Sequence, residues 1–127
     1  MSDQFEIFKR FTFDAAHHLA SNVPAGHRCA KLHGHSFEVE VYIRGSAEPQ
    51  EGGWVMDFQD FEAALEPLRA ELDHNYLNEI PGLEVPTMEN ISRWIWQRLA
   101  PQFPNLSRVI LRRGSFGEGC VYYGPGK

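Results

Sequence analysis

Cys29-Ala-Lys-Leu-His33-Gly-His35-Ser-Phe-Glu-Val-Glu-Val-Tyr-Ile43 decides how this chain is read. From His35 onward apolar and polar residues alternate, the pattern of a half-buried strand. Side chains at i and i+2 of a strand share a face. His33 and His35 therefore point one way and Gly34 the other. Two imidazoles on one strand face are two ligands of a zinc-type site, and a third has to come from elsewhere. Cys29, four residues ahead of His33, adds a nucleophile or base.

Residues 5–13 alternate as well, with Phe5, Ile7, Phe11 and Phe13 on one parity. His17 keeps that parity if the strand runs on through Ala15. Antiparallel pairing of the two strands then brings His17 to His33 and His35. Three histidines and one open position suit a catalytic zinc, whereas a structural site is closed by four ligands, usually including thiolates. His18 competes for the third place, but its parity sets it on the other face. A lone His-x-His on a strand is a common surface feature. The third phased histidine and the neighbouring cysteine raise this one above that background.

The chain has 127 residues, which suits a single domain over 1–127. It is 43% hydrophobic and 13% aromatic, enough for a proper core. No apolar run approaches the ~20 residues of a membrane span. The first residues, Met-Ser-Asp-Gln-Phe-Glu, lack the basic and apolar regions of a secretory signal. Two cysteines do not make a disulfide framework, so a reducing cytoplasm is expected. A formal net charge of −5 argues against nonspecific nucleic-acid binding, which needs a basic surface. It leaves room for a small anionic substrate, because a local cluster can oppose the global sign.

Along the chain, strands are expected over 5–17 and 33–45, with a long loop between them. A turn over 46–53 leads into a short extended piece, Trp54-Val55-Met56. A helix should follow, capped by Asp57, with Phe58, Phe61, Leu65, Leu68 and Leu72 as its apolar stripe. Pro67 falls inside it, and an interior proline costs about 3 kcal/mol, which predicts a kink or break. A second helix runs from a Thr87 cap through Met88, Ile91, Trp94, Ile95 and Leu99 to near Pro101. Trp94 and Trp96 read as packing residues. Two more strands are expected over 107–113 and 119–124, joined by the glycine-rich Gly114-Ser-Phe-Gly-Glu-Gly119. The order ββααββ places the helices in one block, which makes the fold α+β with a four-stranded antiparallel sheet. Such a sheet has two open edges that must be paired or covered, and oligomerisation would do so.

Asp73-His74 closes the first helical region. An acid beside a histidine suits a proton relay, with the carboxylate orienting the ring. The common alternative is a solvated pair at a helix end. Adjacent residues do not face each other on a helix, so one partner is expected to contact something distant. With Cys29 they would make a Cys/Asp/His catalytic group. His27, Arg28 and Lys31 surround Cys29 with positive potential, which favours thiolate over the reading of a buried apolar cysteine. Cys120, among strand residues, is expected to be buried.

Phe13-Asp-Ala-Ala-His17, Gly26-His-Arg-Cys-Ala-Lys-Leu-His-Gly-His35, Trp54-Val-Met-Asp-Phe58, Leu72-Asp-His-Asn-Tyr-Leu-Asn78, Ile80-Pro-Gly-Leu83 and Pro86-Thr-Met-Glu-Asn90 together resemble the 6-pyruvoyltetrahydropterin synthase family. They span nearly the whole chain in the family's order. The short Cys-x3-His spacing looks like the branch of 6-carboxytetrahydropterin synthases of queuosine biosynthesis. The resemblance implies the T-fold, with two helices on one face of the sheet, and a homohexamer made of two trimers with active sites at subunit interfaces. It implies zinc held by His17, His33 and His35. It implies 7,8-dihydroneopterin triphosphate as substrate, with Cys29 as the proton-transferring base and Asp73 and His74 as its partners. The carboxy-type lyase reaction would release acetaldehyde and triphosphate. His27, Thr87, Arg113 and Glu118 are the candidate substrate contacts, and Arg28, Lys31 and the Arg112-Arg113 pair are candidates for the triphosphate.

One departure stands out. The family places a glutamate at the end of the third strand, where its carboxylate accepts hydrogen bonds from the pterin. This chain has Arg112-Arg113-Gly114 there, and an arginine cannot accept them. Each charge-assisted bond is worth about 1.5–3 kcal/mol, so the loss matters unless something replaces it. Glu118, carried by the glycine-rich turn, is the candidate replacement. The alternatives are a pyruvoyl-type reaction, a different pterin carrying an anionic group, or a zinc- and pterin-binding module without catalysis. A cupin-type site using Glu40 is disfavoured by parity, and a zinc deaminase by the lack of a Pro-Cys-x-x-Cys segment.

Overall fold

The computed structural model describes residues 3–126, so Met1, Ser2 and Lys127 of the expected domain lie outside the described residues. Four strands and two helices follow the expected order: β1 (Phe5–His17), β2 (His33–Gly45), α1 (Phe58–Leu72), α2 (Met88–Leu99), β3 (Leu106–Arg113) and β4 (Glu118–Tyr122). The sheet is antiparallel in the order β1-β2-β3-β4, with both helices on one face. This is the T-fold. β1 and β2 pair without a slip from Phe5↔Gly45 to His17↔His33.

Alternation sets that register. Phe13, Ala15, Phe37, Val39, Val41, Ile43, Val109 and Leu111 all face the helices and are buried. Phe13 and Phe37, directly paired across β1 and β2, stack with ring centroids 4.8 Å apart. A one-residue slip would turn this whole set to solvent. The helices cover it with Phe61, Leu65, Leu68 and Leu72 from α1 and Ile91, Ile95 and Leu99 from α2. Trp94 is buried and Trp96 packs at the margin, as packing residues should. The register shifts between Tyr42 and Ile43, where β3 carries the extra Ser107. The Ser107 hydroxyl donates to Glu6 Oε2 at 2.7 Å and lies 3.2 Å from the Tyr42 carbonyl, which occupies the irregularity.

Asp57 caps α1 by accepting from Gln59 N at 2.8 Å, and Thr87 caps α2 by accepting from Asn90 N at 3.1 Å. Three expectations are corrected. α1 runs through Pro67 without a break from Phe58 to Leu72. Pro67 and Ala63 are both exposed, so water reaches the carbonyl that the proline leaves unpaired, while the buried stripe on the other face keeps the helix in place. Trp54-Val55-Met56 bends and forms no extended piece, with Trp54 57% exposed. Cys120 is half-buried, because β4 is an edge strand.

The other face of the sheet is polar. Glu40, 3% exposed, accepts from Arg10 Nη2 at 2.8 Å, Arg112 Nη1 at 2.7 Å and the Tyr42 hydroxyl at 3.2 Å. Arg108 lies over the Tyr42 ring at 4.1 Å and pairs with Glu6 at 3.2 Å. Among the described residues no helix is long and apolar enough to cross a membrane.

Candidate functional site

The covered face of the sheet ends in histidines. His17 closes β1 and His33 opens β2, and the two residues are directly paired. His35 keeps their parity. The three rings meet edge to face with centroids 4.6, 5.1 and 4.8 Å apart. One ring nitrogen from each lies within 4.8 Å of the others. His18 takes no part: its Nδ1 accepts from Ala20 N at 3.2 Å and its ring leans on Tyr76.

The hydrogen bonds assign the tautomers. His17 Nδ1 faces the Pro86 carbonyl at 3.0 Å, and His33 Nδ1 faces the Lys31 carbonyl at 2.7 Å. A carbonyl only accepts, so Nδ1 carries the hydrogen in both rings and the lone pair sits on Nε2. Backbone carbonyls holding the far nitrogen are the usual second layer of a histidine metal site. His17 is 1% exposed, and its Nε2 has no partner. Burial lowers its pKa, only partly opposed by the bond to Pro86. Burial and then the Arg113 guanidinium push His35 down to about 4. Both rings are therefore neutral near pH 7 and can donate a lone pair. An orphaned, neutral, buried imidazole nitrogen aimed at two others fits a divalent metal of zinc type.

Beside the histidines is a cleft of about 510 Å³ lined by Arg28, Cys29, His33, Gly34, His35, Arg113, Phe116 and Glu118. Cys29 sits on a single 3-10 turn, Arg28–Ala30, capped by His27, whose Nδ1 accepts from Cys29 N at 3.0 Å. His27 thus shapes the turn and does not line the cleft, and Thr87 is likewise engaged as the cap of α2. Arg113 reaches His35 Nε2 at 3.1 Å and Glu118 at 2.6 Å. The Phe116 ring lies edge-on to His35 at 5.4 Å and is 62% exposed.

Asp73 and His74 lie elsewhere in the same chain. His74 leaves α1 with φ 59°, so it can turn back on Asp73, and its Nδ1 lies 2.9 Å from Asp73 Oδ2. The Asp14 N–H and then His74 hold the Asp73 carboxyl below its usual range. The segment is stitched to the end of β1 by His74 N→Asp14 O at 2.6 Å and Ala16 N→Asn75 O at 3.2 Å. His74 lines a second cleft of about 600 Å³ with Asp14, Ala15, Ala16, Gly34, His35, Ser36, Asn75 and Tyr76. The two clefts share only Gly34 and His35. One chain therefore holds Cys29 and the Asp73–His74 pair on different sides of the histidines.

Some contacts have no counterpart in the sequence reading. The Pro86 and Lys31 carbonyls are backbone atoms and leave no residue signal. Phe116 was readable as an aromatic between glycines, and its place against His35 follows from the β3–β4 pairing of Arg113 with Glu118.

A sequence profile described as 6-pyruvoyl tetrahydropterin synthase matches residues 6–125. A 6-carboxy-5,6,7,8-tetrahydropterin synthase from Synechocystis is 45% identical over 97 residues, 73% of each chain. A dihydroneopterin monophosphate aldolase from Pyrococcus furiosus is 37% identical over 113 residues, 89% of each chain. Among solved structures, the 6-pyruvoyl tetrahydropterin synthase of Caenorhabditis elegans superposes with a TM-score of 0.84 over 98% of each chain at 21% identity, a likeness of fold.

Proposed function

This chain belongs to the 6-pyruvoyl tetrahydropterin synthase family, and on that premise we propose that it is a zinc-dependent lyase converting 7,8-dihydroneopterin triphosphate to 6-carboxytetrahydropterin. The observation that carries the reading is the meeting of three histidine ring nitrogens, one buried and unpartnered, beside Cys29 in one cleft. The three side-chain carbons would divide, one remaining as the ring carboxyl and two leaving as acetaldehyde. One water is consumed and triphosphate departs. The queuosine pathway uses such a product, and two free cysteines suit a reducing cytoplasm.

His17, His33 and His35 would hold the metal, which would supply Lewis acidity toward the side-chain hydroxyls and ease loss of the neighbouring protons. Cys29 is the base that takes a proton from the side chain in the cleft. Asp73 orients His74, whose ring passes the proton on. Cys29 and His74 line different clefts, so the group would be completed by a second copy, in keeping with the hexamer of two trimers, with sites between subunits, that the resemblance implies. Glu118, held by Arg113, is the acceptor for the pterin's N–H groups in place of the missing glutamate. Arg28 at the cleft mouth meets the triphosphate.

Turnover of the zinc-loaded protein, with pterins and aldehydes resolved by chromatography, tests this. Acetaldehyde should appear, and Cys29→Ala should lower turnover about 10²–10⁴-fold, the range of a lost acid–base group, while zinc stays bound. Mixing Cys29→Ala with His74→Ala subunits should restore activity if the site is shared. A second reading is favoured by Arg113 and by the Pyrococcus relative: aldol cleavage of a phosphorylated dihydropterin. That reaction would release a phosphorylated two-carbon aldehyde instead, and its appearance would replace the first reading.

A further inference from the structure

Arg113 touches both functional halves of the cleft. Its Nη1 donates to His35 Nε2 at 3.1 Å, and its Nη2 pairs with Glu118 Oε1 at 2.6 Å. The side chain is only 18% exposed, and its Nε has no partner. An imidazole acceptor nitrogen has one lone pair. The lone pair on His35 that receives the Arg113 hydrogen is the one a metal would take. Nothing donates to Nε2 of buried His17, so the claim falls on one ligand of the set. Arginine does not lose its proton in a protein, so it can yield this lone pair only by moving.

The move has a destination. Glu118 already holds the other amino group and can take a guanidinium bidentately, the geometry in which carboxylate and arginine fix each other best. Arg113 closes β3 and Glu118 opens β4 directly opposite it, so the pair meets across the sheet without a long reach. Both side chains line the cleft of about 510 Å³, so open space adjoins the pair.

We infer that Arg113 is a positioning residue with two partners, His35 and Glu118, and that it couples the metal site to the ring-binding carboxylate. With Arg113 on His35, the third metal ligand is withheld and Glu118 is held by one bond. With Arg113 wholly on Glu118, the ligand is free and the carboxylate is fixed for a heterocycle carrying N–H donors. Metal and heterocycle then strengthen each other's binding, and by linkage the two factors are equal. The inference rests on the histidines being a metal site.

The test measures zinc affinity by competition with a chromophoric chelator, and neopterin affinity by fluorescence, each with and without the other ligand. Arg113→Ala should bind zinc about tenfold more tightly, because a charge-assisted competitor is gone. Glu118→Gln should bind zinc several-fold more weakly, because Arg113 loses its alternative. Arg113→Lys, which still donates, should return toward the wild-type value. Zinc should raise neopterin affinity in the wild type and not in Arg113→Ala. Opposite signs from the two variants are not expected of a merely structural ion pair. If Arg113→Ala binds zinc no more tightly than wild type, or Glu118→Gln more tightly, the coupling is wrong. If the wild type binds no zinc, the metal reading falls and the coupling with it. The Glu118→Gln arm keeps the test decisive should Arg113→Ala fold poorly.

Discussion

On the open face of the sheet Glu40 is buried, and both its oxygens are taken by Arg10, Arg112 and Tyr42. At the end of the covered face His17 is as deeply buried, and its Nε2 is taken by nothing. Both clusters pair residues from neighbouring strands. The difference lies in saturation. Buried polar groups in a native protein are ordinarily bonded, and an exception asks for an explanation. Both Glu40 oxygens are bonded, so its cluster is explained by the sheet that it ties together. His17 keeps its acceptor free and facing the other two rings, which no structural purpose requires.

The sharpest way to break this contrast is to swap the effects. His33→Ala should weaken zinc binding by more than about 100-fold, beyond what second-layer changes usually cost. It should also abolish the rise in Tm that zinc gives the wild type. Glu40→Gln should leave zinc affinity unchanged and cost about 2 kcal/mol of stability, the scale of charge-assisted bonds on partly exposed partners, read from urea midpoints. A large zinc effect in Glu40→Gln would mean that the two faces are not independent.

Acid separates the clusters next. Burial tends to raise the Glu40 pKa, but the hydrogen bonds from Arg112 and Arg10 outweigh it and hold it below 4.5. Its stabilisation is present above 4.5 and lost as pH falls through the lower folded value. His35 is held neutral down to about 4, while in the unfolded chain it charges near 6.5. Between those values the unfolded state binds more protons, so stability falls as pH drops from 6.5 toward 4. In metal-free protein, His35→Gln should make the upper window shallower, leaving the part that His17 contributes, and Glu40→Gln should do the same to the lower, where Asp73 also contributes, followed by urea unfolding at stepped pH. The smallest effect belongs to Thr87→Ala. Losing this cap should cost about 1 kcal/mol. Since Pro86 orients His17 from the preceding position, zinc affinity should shift less than about threefold.

How much of this was legible follows from what each residue leaves in the sequence. β1 and β2 were read to their ends because their two faces differ in polarity, and the same parity put His17 with His33 and His35. Pro67 did not break α1, because propensity speaks of one helix alone, whereas the buried stripe of α1 holds the helix through it. Cys29 and His74 were read as one group, and only the docking of residues 73–76 on the end of β1 places them in separate clefts. Arg113 was noticed as a departure from a pattern, but its grip on His35 is a contact across 78 residues that no local rule anticipates.

That reach has a consequence for how the chain folds. The contacts that set the site join residues 59, 69 and 78 positions apart: Asp14 with Asp73, His17 with Pro86, and His35 with Arg113. Closing such long segments is an entropic cost that slows folding, so contacts of this kind form late. A refolding experiment should therefore show the helices first and zinc uptake last, and zinc in the buffer should slow unfolding more than it speeds refolding. The metal would act as a lock on a finished molecule rather than a nucleus for an unfinished one.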